Sequence, residues 1–211
     1  MIDAPQPNEQ TVLVTGGSGY VGSWAVVALL ERGYRVRTTV RDLSREPVLR
    51  DMIATKVDPG DRLAVVAANL LVDEGWDAAT AGTHYVLHVA SPMPVGDFRG
   101  QDVIHPAREG MRRVLEASLR AGVARVVLTS STAAAMRKDK TGNVVDEAIW
   151  TDLPDKPIYN YSRSKTLAEQ DAWTIAARSG GRLELASVLP SSIQGPVLDR
   201  KSTRLNSSHR P

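Results

Sequence analysis

Short apolar runs alternate with longer stretches of helical periodicity along nearly the whole chain, the pattern of βαβ units that assemble a parallel sheet. Six runs read as strands: residues 11–15, 34–40, 63–67, 84–89, 125–130 and 183–189. Residues 19–32 predict a helix that Gly33 stops, since glycine takes the left-handed position after a helix at little cost. Residues 107–121 place Met111, Val114, Leu115 and Leu119 on one face and Arg112, Arg113, Glu116 and Arg120 mostly elsewhere, so the apolar face is expected to cover the sheet. Residues 161–178 hold Leu167, Ala168, Trp173, Ile175 and Ala176 and end at Gly180-Gly181, before the last strand. No internal repeat or low-complexity segment breaks this order.

A chain of 211 residues, 42% of them hydrophobic, can bury one full core, with room for part of a second. It has no cysteine, which excludes a disulfide framework and thiolate metal sites and permits a cytosolic setting. Residues 1–10 are polar and carry Pro5 and Pro7 where a secretion signal would carry a basic and then an apolar stretch. No apolar run reaches membrane-spanning length, so a soluble, cytoplasmic protein is expected.

The formal net charge of +2 arises at the C-terminus, where Arg200, Lys201, Arg204 and Arg210 face Asp199 alone; without residues 199–211 the chain holds 22 basic and 23 acidic residues. The body is balanced and offers no electrostatic footprint for nucleic acid. The stretch DRKSTRLNSSH, residues 199–209, resembles the translation of a common short-read sequencing adapter. On that reading 199–211 is a non-native tail, the natural gene continues beyond Leu198, and the folded unit is 11–198 behind a polar segment, 1–10.

The first strand leads into Thr15-Gly16-Gly17-Ser18-Gly19-Tyr20-Val21-Gly22, a G-x-x-G-x-x-G arrangement before a helix. Gly16 can make the tight turn, Gly19 lets backbone approach a pyrophosphate, and Gly22 lets the helix pack closely. The helix N-terminus, at Tyr20 and Val21, offers unpaired N–H groups and partial positive charge to phosphates. The second strand ends in Val40-Arg41, where a nucleotide-binding sheet reads the adenosine ribose. A guanidinium there suits a 2′-phosphate, which favours NADPH over NADH, with Arg45 as a helper and Asp42 as a repulsive neighbour if it points inward.

Tyr161 and Lys165 are four residues apart and share one helix face. A phenol with an ordinary pKa of about 10 is a poor acid near neutrality, and a neighbouring ammonium favours its phenolate. Tyr161 could then protonate a carbonyl oxygen while a nicotinamide delivers hydride, with Lys165 also within reach of ribose hydroxyls. Thr129-Ser130-Ser131 closes an apolar strand at the edge where such sheets hold ligands; Ser130 reads as strand-end chemistry and Ser131 as the hydroxyl that binds the substrate oxygen.

With these residues in place, the chain resembles the extended short-chain dehydrogenase/reductases, in the branch of the dihydroflavonol and cinnamoyl-CoA reductases and similar bacterial and fungal aldehyde or ketone reductases. The matching segments are VTGGSGYVGSW, TTVRD, ANLLVDEGWD, HVASPM, VVLTSSTAAA, YSRSKTLAEQDAW and LPSSIQGP, in family order across 11–198. The resemblance implies an α/β fold, a Rossmann-type doubly wound parallel sheet, with a smaller C-terminal substrate domain that should begin near Gly195-Pro196 and is truncated. It implies NADPH-dependent reduction of an aldehyde or ketone, poorly performed by the fragment alone. By the same resemblance Ser131, Tyr161 and Lys165 are the catalytic triad and Arg41 reads the 2′-phosphate. Asn69 and Leu70 lie against adenine, Val89 and Ala90 line the cofactor groove, and Pro190 sits near the nicotinamide. The family often has Asp where this chain has Asn69, and the plant enzymes a second basic residue at the position of Val48.

Two other functions compete. A nucleotide-sugar epimerase or dehydratase would usually carry an acid after the second strand and HxAA in place of His88-Val89-Ala90-Ser91; Arg41 and Ser91-Pro92 weigh against it. A cofactor-binding regulator without chemistry would lack the Tyr161–Lys165 pair. His84, His88 and His105 lack metal-ligand spacing, and His88 is expected to be packed. Trp24, Trp76, Trp150 and Trp173 are too scattered to stack nucleic acid and are expected in the core or on its rim. The expected partner is a small carbonyl compound, with no nucleic acid, membrane or metal, and the oligomeric state stays open.

Overall fold

Leu13 and Val14 are neighbours in the first strand, both fully buried, and they join different apolar clusters. Adjacent strand residues point to opposite faces, so this strand is covered on both sides, which is what an unbroken apolar run requires. The computed structural model describes residues 7–92, 102–136, 146, 148–152, 154, 156 and 159–198. It begins β1 (Thr11–Thr15), α1 (Tyr20–Glu31), β2 (Arg35–Val40), α2 (Glu46–Ala54), β3 (Leu63–Ala67) and α3 (Trp76–Thr80). It continues β4 (Tyr85–His88), α4 (Ile104–Ala121), β5 (Arg125–Thr129), α5 (Asn160–Arg178) and β6 (Glu184–Val188). The adapter-like tail, 199–211, lies outside the described residues.

All five strand pairings are parallel, in the order β3-β2-β1-β4-β5-β6. The chain builds outward from β1 to β3, returns, and builds outward again from β4 to β6. This reversal opens a crevice above the carboxyl ends of β1 and β4. The expected Rossmann-type doubly wound sheet is therefore present, with β1 and β3 on their predicted bounds and the other strands one residue shorter at one or both ends.

On one face α1 and α2 bring Val26, Val27, Leu30, Leu49 and Ile53 against Val14, Val36 and Val40. On the other, α3, α4 and α5 bring Trp76, Met111, Val114, Leu115 and Ala172 against Leu13, Val86 and Val126. Gly33 has φ +88° immediately after α1, as its stop role requires. The tryptophans divide: Trp76 is core, Trp24 is half-buried, and Trp150 and Trp173 are exposed. The sheet-facing stripe of α5 is Ser164, Ala168 and Ala172 at four-residue spacing, and Trp173 lies about 100° further round the helix. Ser164 and Thr166 tolerate burial because their hydroxyls donate to Tyr161 O (2.7 Å) and Ser162 O (2.9 Å).

Both ends of the described chain return to the first βα unit. Gln10 is buried and its carbonyl accepts from Arg35 N–H at 3.2 Å. After β6 the chain runs back along the carboxyl edge. There Pro190 O accepts from Thr132 N–H at 3.1 Å, Pro196 O accepts from Trp24 Nε1 at 2.8 Å, and Leu198 enters the α1–α2 cluster. Among the described residues no helix is long and apolar enough to cross a membrane, and no group of three or more His, Asp or Glu is placed to hold a metal ion.

Candidate active site

The turn from β1 into α1 is built from missing side chains. Gly16 has φ +72°, and a Cβ there would also stand 3.0 Å from Ala90 Cβ. Gly19 N–H donates to Gly16 O at 2.9 Å, and a Cβ on Gly22 would stand 2.3 Å from that same oxygen. Gly19 is the N-cap of α1 and no side chain caps the helix, so the first-turn amides at Tyr20 and Val21 face the crevice with their partial positive charge. This cradle fits a pyrophosphate. Gly17, which the sequence reading left without a role, fits beneath β2: a Cβ there would stand 2.0 Å from Thr38 Oγ1.

Thr15 joins this loop to the end of β4. Its Oγ1 accepts from Val89 N–H and Ala90 N–H, both at 3.0 Å, and lies 2.9 Å from His88 Nδ1. Two donors occupy the oxygen, so its own proton goes to Nδ1, which must be unprotonated. Burial, together with the Lys165 ammonium, pushes His88 down to about 3, so the ring is neutral and packed, as expected. Val89 and Ala90 thus lie directly beside the glycine loop. A buried hydroxyl as the last residue before a glycine loop is the signal that would have singled out Thr15.

Arg41 is exposed just past β2 and makes no hydrogen bond or ion pair among the described residues. Asp42 turns its carboxylate away, accepting from Ser44 N–H at 2.9 Å, and that bond holds its pKa below the usual value. Arg45 is exposed in the next turn, and Val48 is exposed on α2. Asn69 follows β3; its Oδ1 accepts from Leu71 N–H at 3.1 Å, so one lone pair of the amide oxygen is already engaged. Leu70 is pinned to α4, where a Cβ on Gly110 would stand 2.8 Å from Leu70 Cβ.

At the other side of the crevice Ser131 caps a 3-10 turn, Thr132–Ala134, accepting from Ala133 N–H at 3.2 Å. The Thr132 bond to Pro190 O brings Pro190 alongside. Lys165 Nζ lies 3.4 Å from Thr129 O, two residues before Ser131, and burial pushes its pKa down to about 8, opposed by the Glu169 carboxylate. Tyr161, one turn earlier on α5, is 36% exposed. Ser130 is buried, and its Oγ donates to Glu169 Oε2 at 2.5 Å. Glu169 has no role in the sequence reading, although the further four-residue step from Tyr161 through Lys165 places it on the same helix face. Lys165, Glu169, His88, Ser130, Leu70 and Ala90 line one narrow cleft of about 20 Å³. A larger depression, about 470 Å³, lies over α4 and α5 among paired charges such as Arg108–Asp171 and shares no residue with this cleft.

Residues 12–209 match the NAD dependent epimerase/dehydratase family. The chain belongs to that family. The resemblance read from the sequence is borne out at this level, and reductases recur among the family members it is similar to. Anthocyanidin reductase ((2S)-flavan-3-ol-forming) of Vitis vinifera is 38% identical over 199 residues, 90% of this chain and 58% of the relative. Dihydroflavonol 4-reductase of Arabidopsis thaliana is 39% identical over 203 residues, 90% of this chain and 51% of the relative. The chain thus spans slightly more than half the length of the curated relatives it matches. Yeast methylglyoxal/isovaleraldehyde reductase Gre2, solved as a complex with NADPH, superposes with a TM-score of 0.79 at 25% identity, over 91% of this chain and 60% of that one.

Proposed function

We propose that this chain forms the cofactor-binding and proton-donating part of an NADPH-dependent reductase that converts an aldehyde or ketone to an alcohol. The observation that carries this reading is the 3.4 Å approach of Lys165 Nζ to Thr129 O, which ties the ammonium to the carboxyl edge next to Ser131 and one helical turn from Tyr161. NADPH, when bound, supplies the hydride that reaches the carbonyl carbon. Ser131 Oγ accepts from Ala133 N–H, which leaves its proton free to donate to the carbonyl oxygen. The Tyr161 phenol gives that oxygen its proton, with Lys165 one helical turn on along α5. Gly16, Gly19 and Gly22 and the uncapped amides of α1 hold the pyrophosphate. Arg41 meets the 2′-phosphate, unopposed because Asp42 is turned onto Ser44. The names of the relatives, all reductases, and the NADPH of the Gre2 complex support the same reading.

The test is cofactor binding and NADPH oxidation by the chain with a panel of aldehydes, ketones and nucleotide sugars. Tighter binding of NADPH than NADH, with oxidation dependent on an aldehyde or ketone, is the expected result. Oxidation with nucleotide sugars alone, or no binding of NADPH, would overturn the proposal.

A further inference from the structure

Lys165 and Glu169 stand one turn apart on α5 and face one cleft, with His88 entering from β4 and Ser130 from β5. Glu169 is 4% exposed; Oε2 accepts from Ser130 Oγ at 2.5 Å and Oε1 from Trp173 Nε1 at 3.4 Å. A hydroxyl and an indole N–H are neutral donors, and neither brings a charge to answer the carboxylate. A carboxyl group withdrawn into a helix–sheet seam is costly unless a charge answers it. Lys165 is the cation that shares its cleft.

Taking Lys165 as the partner of the Tyr161 phenol, as in the proposed function, we infer that Glu169 is a positioning residue: anchored to β5 by Ser130, its carboxylate keeps the Lys165 ammonium charged at the carboxyl edge. Burial drives Lys165 toward the neutral amine, and Glu169 is the group that opposes it. His88, the titratable group facing the cleft from β4, is neutral and adds no competing charge. α4 contributes only Ala107 and Met111 to the walls, β5 and the residue after it contribute Leu128, Thr129 and Ser130, and on α5 itself Tyr161 precedes Lys165 by one turn. Were Glu169 merely a tie between α5 and β5, its loss would lower stability and leave the ionisation of Lys165 where it is.

The experiment is an NMR titration of the chain carrying lysine labelled with 13C at Cε, the Lys165 signal being assigned by its loss in Lys165→Met. Glu169→Gln is expected to move the Lys165 midpoint about one pH unit lower, a tenfold change in its acid constant. A midpoint that does not move overturns the inference, whatever happens to the melting temperature. If Glu169→Gln does not fold, Glu169→Asp decides. It keeps the charge but draws it back by one methylene, so the Lys165 midpoint should fall; no fall overturns the inference. The titration needs neither cofactor nor turnover, so a shifted midpoint in a chain that binds no NADPH would sink the reductase reading and leave the coupling between Glu169 and Lys165 standing.

Discussion

A Cβ on Gly22 would stand 2.3 Å from the carbonyl oxygen of Gly16, so the first turn of α1 and the glycine loop touch through backbone alone. Neither side can yield as a flexible side chain would. Gly22→Ala should push the helix and the loop apart, at a cost of about 1–3 kcal/mol, and should weaken NADPH binding at least about tenfold by splaying the amides that meet the pyrophosphate. Calorimetric titration checks this, and an alanine variant with parental affinity would contradict it.

Tyr161 is exposed enough that removing its hydroxyl should disturb little packing. Tyr161→Phe should therefore keep its melting temperature and its affinity for NADPH, while ketone reduction falls about 10²–10⁴-fold through loss of the proton donor. Near-parental turnover would remove Tyr161 from that role and make Tyr159, at the N-cap of α5, the next phenol to test.

Lys165 should weaken the fold that it serves. Its pKa in the folded chain, about 8, lies below its ordinary 10.5. Between these values the unfolded chain binds more protons, so stability rises with pH across that window, and below it the full penalty of burying the ammonium is present. Lys165→Met alone would leave the buried Glu169 carboxylate unanswered, so the burial penalty is read from the double variant: Lys165→Met with Glu169→Gln should stabilise the chain by about 2 kcal/mol near neutral pH, with the gain shrinking as pH climbs toward 10.5, while turnover is lost. Urea unfolding near pH 7 and near pH 10 measures the gain and its decline. A double variant less stable than its parent near neutrality would refute the burial account.

Because Arg41 is exposed and makes no hydrogen bond or ion pair among the described residues, its loss should leave folding untouched. Arg41→Ala should weaken NADPH about tenfold or more, the worth of one or two charge-assisted hydrogen bonds, and change NADH little. Equal losses for the two cofactors would take Arg41 out of the 2′-phosphate role.

The sheet was legible because β1, β3, β4 and β5 hold short apolar runs between turn signals, while β2 (RVRTTV) and β6 (ELASV) could be placed from the glycines that precede them; the turn at Gly16 was legible because its residue type announces a positive φ. The helix α2 was not legible: Glu46-Pro47 opens it and only Leu49 and Ile53 are buried, too narrow a stripe to stand out from a polar loop. α3 is a single short helix of five residues whose Trp76 and Ala79 carry no readable period. Within the site, the glycine loop and the Tyr161–Lys165 spacing could be read because each depends on local geometry. The Ser130–Glu169 bond and the Thr15 link to β4 could not, since they join residues 39 and 73 to 75 positions apart that only the sheet order brings together.

The hydrogen bond from Trp24 to Pro196 spans 172 positions, and Leu198 completes the cluster beneath α1 and α2. During synthesis the first helix leaves the ribosome early, while the segment that finishes its cover emerges only after β6. A contact of such sequence separation forms slowly, since the entropy of closing so long a loop must be met before the contact rewards it. Until Leu198 has emerged, the nascent chain therefore carries α1 with its apolar cover incomplete.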